Sequence, residues 1–286
     1  MLLVALGVLA GSLVIASAAF ANPLVPKSGG SPNADQIQSL YKIILYMAVV
    51  VFIGVEGALL FAVIRFRRSK GAVAAQIHGN TKLEFGWTLG AALIVVAIAT
   101  VTFIKLPGIL NPPSSGPNGL TVASLNPPKP STGHALVICV TGRQFIWRYT
   151  YGAGCDRASW ERRLPYSYQE MVAPAYTTVR LVIQSSDVIH SWWVPKLGGK
   201  VDAVPGYTTY TWFKAPYAGS IYRGQCAELC GRQHAFMTAL VKIVTPAQYI
   251  EWIDRQATAI KAANDQVAQL RYELTQMHDL SLTGIF

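Results

Sequence analysis

Two stretches of this chain have no stable place in water, and they constrain what the rest can fold into. Ile43–Ile64 runs for 22 residues with a single charge, Glu56, and Phe85–Ile104 runs for 20 with none. A helix needs about 20 predominantly apolar residues to cross the hydrocarbon core of a bilayer, so each stretch is expected to span a membrane. The segment between them carries Arg65, Arg67, Arg68, Lys70 and Lys82, and an excess of Lys and Arg marks a cytoplasmic loop. The spans then form a hairpin, with everything after Lys105 facing outward. Of 286 residues, 52% are hydrophobic and only 13% charged, about half the usual charged share. The net charge of +10 does not point to nucleic acid, because the basic residues are spread thinly and no Lys/Arg run is interleaved with aromatics.

Two carboxylates stand out against this background. Glu56 lies inside the first span, where a charge usually faces a protein interior or a water path; a plain hydrogen bond to another helix is the simpler reading. Glu84 sits at the cytoplasmic mouth of the second span, where the macrodipole stabilises a negative charge. Upstream, residues 1–21 form an apolar run ending Ala19-Phe20-Ala21, the pattern of a signal-peptidase site. They read as a signal peptide, although the run carries no Lys or Arg; an uncleaved membrane helix is the alternative. The N-terminal segment and hairpin then occupy 22–106, with a Pro/Gly/Ser-rich lead-in over 22–35. Residues 107–133, rich in proline, read as a linker.

After the linker the pattern turns strand-like. His134–Thr141, Gln144–Tyr151, Thr177–Gln184, Val188–Val194, Tyr207–Lys214, Ser220–Cys226 and Met237–Val244 are rich in β-branched and aromatic residues, with Gly and Pro clusters between them. Such spacing predicts a β-sandwich or Greek-key barrel over 134–245. Residues 246–286 predict a helical extension whose apolar positions include Ile253, Ile260, Val267, Leu270 and Leu274, docked on the domain or a neighbour.

The chemistry concentrates in Gly224–Met237, GQCAELCGRQHAFM. Twelve residues hold Cys226, Cys230, His234 and Met237, a soft donor set that selects copper or zinc over magnesium or calcium. His190 offers a second imidazole from an earlier strand. Four cysteines facing outward first suggest disulfides. Cys139 and Cys155 fit one bridge or two free thiols, and Cys226 could pair with Cys230. Two Cys and two His would also close a tetrahedral zinc site, which needs no methionine. A single blue copper uses two His, one Cys and an axial Met, leaving one thiolate over. Two coppers bridged by both thiolates, with one histidine each, use the whole set.

The segment Ser186-Asp187-Val188-Ile189-His190-Ser191-Trp192, then Val204-Pro205-Gly206, then GQCAELCGRQHAFM, resembles subunit II of the haem–copper cytochrome c oxidases over roughly residues 36–250. The resemblance implies a two-helix transmembrane hairpin followed by a cupredoxin-like domain. It implies a dinuclear copper A centre with Cys226 and Cys230 as bridging thiolates, and one copper each on His190 and His234. Met237 and the carbonyl of Glu228 would be weak ligands. The Glu228 side chain would reach a magnesium ion shared with subunit I, a hard cation that suits a carboxylate. Glu84 matches the family's proton-channel entrance. The implied activity is acceptance of electrons from a cytochrome c-type donor and their transfer to haem in subunit I, which reduces oxygen with proton pumping. Subunit III is a further expected partner, and the implied location is a bacterial plasma membrane with the copper domain outside.

This sequence also departs from the family. Phe145 stands where many members have a tryptophan, their proposed surface entry point for electrons; Trp147 remains, as a transfer residue or as core. From Pro107 onward there are sixteen Lys/Arg against eleven Asp/Glu. Arg143, Arg148, Arg157, Arg162 and Arg163 cluster near the expected entry region, against Asp156, Glu161 and Glu170. A strongly basic donor would be repelled, so an acidic, membrane-tethered or complex-bound haem domain is expected. No C-x-x-C-H motif for a fused haem is present. The nearest alternative is the copper A subunit of a related nitric oxide reductase. A quinol oxidase branch would lack the ligands, and an autonomous copper carrier would not need Glu84 or Glu228.

Overall fold

The structure is a computed structural model that describes residues 24–67, 73, 76–115, 135–152, 155 and 164–282. The expected signal peptide, residues 68–72 and 74–75 of the basic loop with Arg68 and Lys70, and 116–133 of the linker lie outside these residues, as do Asp156, Arg157, Glu161, Arg162 and Arg163. The chain divides into two compact units. One comprises residues up to Lys27 and Gln36–Ile109; the other is Ser28–Asp35 with everything from Leu110 onward.

In the first unit, α1 (Pro32–Arg65) and α2 (Thr81–Leu110) are both long and apolar enough to cross a membrane, and none of either apolar window is buried within the chain. That separates them from the core helices of a soluble protein. The side chain of Lys105 donates to Gln36 at 3.4 Å, joining the end of α2 to the start of α1 as an antiparallel hairpin requires. Asn80 caps α2: its side-chain oxygen accepts from the Leu83 amide at 3.2 Å, and Glu84 reaches back to the Asn80 amide at 3.3 Å. Two free amides are thereby satisfied reciprocally. The helix continues through Pro107 to Leu110, so the linker begins later than its composition suggests.

Among the described residues of the second unit, ten strands form two five-stranded sheets. They are β1 (Leu136–Arg143), β2 (Ile146–Tyr151), β3 (Tyr166–Tyr168), β4 (Glu170–Pro174), β5 (Thr178–Ser185), β6 (His190–Trp193), β7 (Val201–Ala203), β8 (Thr209–Lys214), β9 (Ile221–Cys226) and β10 (Thr238–Val244). The sheet orders are β3-β2-β1-β5-β8 and β4-β10-β9-β6-β7. The β1–β5 and β4–β10 pairs are parallel and the others antiparallel. β10 shows the driving pattern: Ala239, Val241 and Ile243 are buried, while Thr238 and Lys242 are exposed. Side chains alternate across a strand, so this period drives one face inward. Ile138, Val140, Leu181 and Ile183 from the first sheet meet Met171, Val241 and Ile243 from the second in one core.

The seven expected strands are all present, and β3, β4 and β7 are additional. β3 and β7 are three residues long, too short for a periodic signal. β4 is almost entirely buried, so it shows no alternation. Cys139 on β1 is bonded to Cys155, which settles the choice between a bridge and free thiols. A cross-link closing a loop of about 15 residues stabilises by about 3 kcal/mol in the chain-entropy account. Cys155→Ser is therefore expected to lower the unfolding free energy of the domain by about 2–3 kcal/mol, measurable by denaturant titration.

α3 (Pro246–Leu282) starts with a capping box. The Gln248 amide donates to the Thr245 hydroxyl at 3.2 Å and the Thr245 amide to the Gln248 side chain at 3.1 Å, with Pro246 at the first helical position. Its first turns dock through Tyr249, Trp252 and Ile253; Trp252 meets Tyr151 edge-on at 4.9 Å. Burial pushes the Tyr151 and Tyr249 hydroxyls well above their ordinary pKa. Beyond Ile260, the positions Val267, Leu270 and Leu274 are exposed, so only the first half of the helix docks on this chain.

Candidate metal centre

The candidate ligands come from two neighbouring strand ends and one loop. β9 ends at Cys226 and β10 begins after Met237, and the Cys226 amide donates to the Met237 carbonyl at 2.8 Å. That bond pinches the intervening loop into a closed turn, with a short 3₁₀ helix over His234–Phe236. β6 lies beside β9 with Trp192 opposite Cys226. Because side chains repeat every second residue, His190 points to the same face as Trp192 and reaches the cysteine.

Six donors meet there. Cys226 Sγ lies 3.9 Å from His190 Nδ1, 3.9 Å from Cys230 Sγ and 3.3 Å from the Glu228 carbonyl oxygen. Cys230 Sγ lies 3.6 Å from His234 Nδ1 and 3.9 Å from Met237 Sδ. The His190, Cys226 and Cys230 donors all fall within 4.8 Å of one another. His190, Cys226, Cys230 and Met237 are buried, and His234 is half-buried. The two sulfurs are free thiols and stand nearly twice the ~2.05 Å of a disulfide apart. They are close enough for one metal to touch both at typical thiolate bond lengths of about 2.3 Å. Each sulfur also has an imidazole beside it, His190 at Cys226 and His234 at Cys230. The donor set thus fits a dinuclear copper group, and the thioether is one a four-ligand structural zinc site does not need.

The surroundings hold this arrangement rigid. Asp187 Oδ1 lies 2.9 Å from His190 Nε2, while its carboxylate accepts from the Gln144 amide at 2.7 Å and the Val188 amide at 2.7 Å. A carboxylate on one ring nitrogen fixes the proton there and leaves the other free as a ligand, here Nδ1, which faces Cys226. The Gln144 side chain donates to the Cys230 carbonyl at 2.6 Å, so one residue ties the β1–β2 turn to both the Asp187 and Cys230 loops. Gly231 has φ +131°, and a Cβ there would lie 2.9 Å from Gln144 Nε2; the loop can make this turn only as glycine.

Electrostatics separate the two thiols. Burial alone raises the Cys226 pKa, but contacts with His190 and with backbone at Glu228 and Ser191 outweigh it and bring it down to about 6. Cys230 is pushed up to about 11 by burial and by the neighbouring Cys226. For His190, burial works against the charged ring, yet Cys226 and Asp187 raise its pKa overall. Asp187 is lowered despite its partial burial, by the Gln144 amide, His190 and the Val188 amide. Of the two thiols, Cys226 is the one that its surroundings bias toward the thiolate.

The remaining candidates lie at different distances from this cluster. Trp147 is fully buried and sets its edge against the His190 ring, with centroids 5.8 Å apart. Phe145 is half-buried and packs on the core. Glu228 contributes its carbonyl to the cluster while its side chain is exposed. Glu84, on α2, serves as a helix cap. Sequence reasoning gave no role to Gln144, Asp187 or Gly142. The carboxylate three residues before His190 was a readable local signal; Gln144, 86 residues from Cys230, had none.

Comparison with known proteins points to one family. The family described as cytochrome C oxidase subunit II, transmembrane domain, matches residues 22–104, and its periplasmic domain matches 156–244. The probable cytochrome c oxidase subunit 2 of Rickettsia bellii is 30% identical over 278 residues, covering 91% of this chain and 96% of that protein. The cytochrome c oxidase subunit 2 of Cereibacter sphaeroides is 32% identical over 266 residues, covering 80% and 81%. The crystal structure of the periplasmic domain of subunit II of Bradyrhizobium japonicum cytochrome oxidase is similar at 29% identity and a TM-score of 0.40, covering 45% of this chain and 98% of that one. With a membrane hairpin, a cupredoxin-like β domain and relatives matched over most of their length, this chain belongs to the cytochrome c oxidase subunit II family.

Proposed function

We propose that this chain is the copper A subunit of a respiratory oxidase, taking electrons from a cytochrome c-type donor and passing them to haem in subunit I. The observation that carries the reading is the pair of thiols 3.9 Å apart with an imidazole beyond each. Cys226 and Cys230 would bridge two coppers, His190 and His234 would each bind one, and Met237 and the Glu228 carbonyl would be the weak ligands. Such a pair, when bound, supplies reversible one-electron acceptance with the charge shared over both metals. The residues around it keep it dry and still. Burial excludes water, Asp187 fixes the His190 ring, and Gln144 locks the loop, so little has to move when an electron arrives or leaves.

Phe145 and Trp147 are the candidates for the inward electron path, the first half-buried and the second against His190. The exposed Glu228 carboxylate is available to a magnesium ion shared with subunit I, and Glu84 to a proton-channel entrance. The β domain would face the periplasmic or extracellular side of a bacterial plasma membrane, where the Cys139–Cys155 disulfide can persist. The donor is expected to be acidic or tethered, and subunit III a further neighbour. Metal analysis with electron paramagnetic resonance tests the centre. Two coppers per chain sharing one unpaired electron are expected; one zinc and no signal would sink the reading.

A further inference from the structure

Glu56 stands about 13 Å along α1 from Arg65 and about 20 Å from Ile43, at 1.5 Å per residue, and so lies deep within the hydrocarbon layer. It is exposed on the helix, sharing a face with Phe52, Ile53, Leu60 and Val63, which are also exposed. No described residue hydrogen-bonds it. The threonines of the neighbouring span are committed elsewhere: Thr88, Thr100 and Thr102 each donate to a carbonyl of their own helix at 2.8 Å. A carboxyl group left bare in lipid is strongly unfavourable whether charged or neutral. None of the described residues of this chain supplies a partner for it.

We infer that Glu56 is the polar anchor of an interaction surface on α1, and that it hydrogen-bonds a donor side chain on a membrane helix of the haem-bearing subunit. The surrounding aliphatic face supplies packing, which lipid would satisfy equally well. The carboxyl supplies register and selectivity, because only a helix with a donor at the same depth relieves its desolvation. This inference rests on the oxidase-subunit reading proposed above.

The test is to purify the complex through a tag on this chain in mild detergent and measure haem per chain. Glu56→Leu, which removes the hydrogen bond, is expected to retain about tenfold less haem, within the range of interhelical hydrogen bonds in membranes. Glu56→Gln keeps the hydrogen-bonding capacity and should stay within about twofold of the unaltered chain. The copper signal, from a separate compact unit, reports in each case that the β domain has folded and that the chain has been made. An unaltered chain that carries copper but arrives without haem would overturn the oxidase-subunit reading itself. Where the unaltered chain brings haem, full haem with Glu56→Leu, or no rescue by Glu56→Gln, overturns the anchor. Full haem with slowed turnover would make Glu56 a proton-path carboxylate instead, and also overturns it.

Discussion

Cys230→Ser is expected to abolish the two-copper signature, leaving at most one copper per chain, and to lower turnover with a cytochrome donor by at least about 100-fold. Removing groups that merely support a ligand costs 10–100-fold in many metal sites, and Cys230 is more central than that. Its sulfur touches Cys226, His234 and Met237, so it connects the two halves of the cluster. Without it, the His234 and Met237 side chains lose the sulfur that both of them face. A serine hydroxyl cannot replace it, being a hard and weakly acidic donor where a soft thiolate is needed. Met237→Leu is the informative comparison. It keeps the buried volume and removes only the thioether, so both coppers should stay and only the signal should shift. Equal copper loss in the two variants would mean that the loop itself, and not the bridging sulfur, holds the metal.

The contrast between these residues also shows what a sequence can carry. Cys226, Cys230, His234 and Met237 were legible because one tight loop fixes them together, so spacing alone encodes geometry. The hairpin was legible for a similar reason, since lipid imposes a length and a composition on any helix that crosses it. His190 was visible as a second imidazole, but only the β6–β9 register brings it beside Cys226. Of the supports, Asp187 sits three residues before His190 and leaves a local signal, while Gln144 leaves none. Gln144 looks like an ordinary turn residue until the fold delivers the Asp187 and Cys230 loops to either side of it. β4 lacked alternation because both of its faces are covered, and the free second half of α3 carries the same apolar spacing as the half that docks. Local pattern records which residues are apolar; it does not record what covers them.

Gly142→Ala should show how stiff those supports are. A Cβ at Gly142 would lie 2.8 Å from His190 Cδ2, 3.1 Å from His190 Cγ and 3.0 Å from Trp147 Cζ3. All three are ring atoms, and neither ring is free to step aside. His190 is held by Asp187 at 2.9 Å and faces Cys226, while Trp147 is fully buried in the core. One methyl must therefore tilt the imidazole or push the tryptophan into packed neighbours, at the 1–3 kcal/mol typical of overpacking. If the imidazole yields, copper affinity should fall about tenfold, the equivalent of about 1.4 kcal/mol, with the spectral change confined to the His190 side. If the tryptophan yields, the domain should lose stability with its copper signal intact. Gly142→Val, with two further methyls in the same gap, should leave little folded domain. An alanine variant matching the parent in both copper affinity and denaturant midpoint would show that this wall is soft, and that Asp187 alone keeps the His190 ring in place.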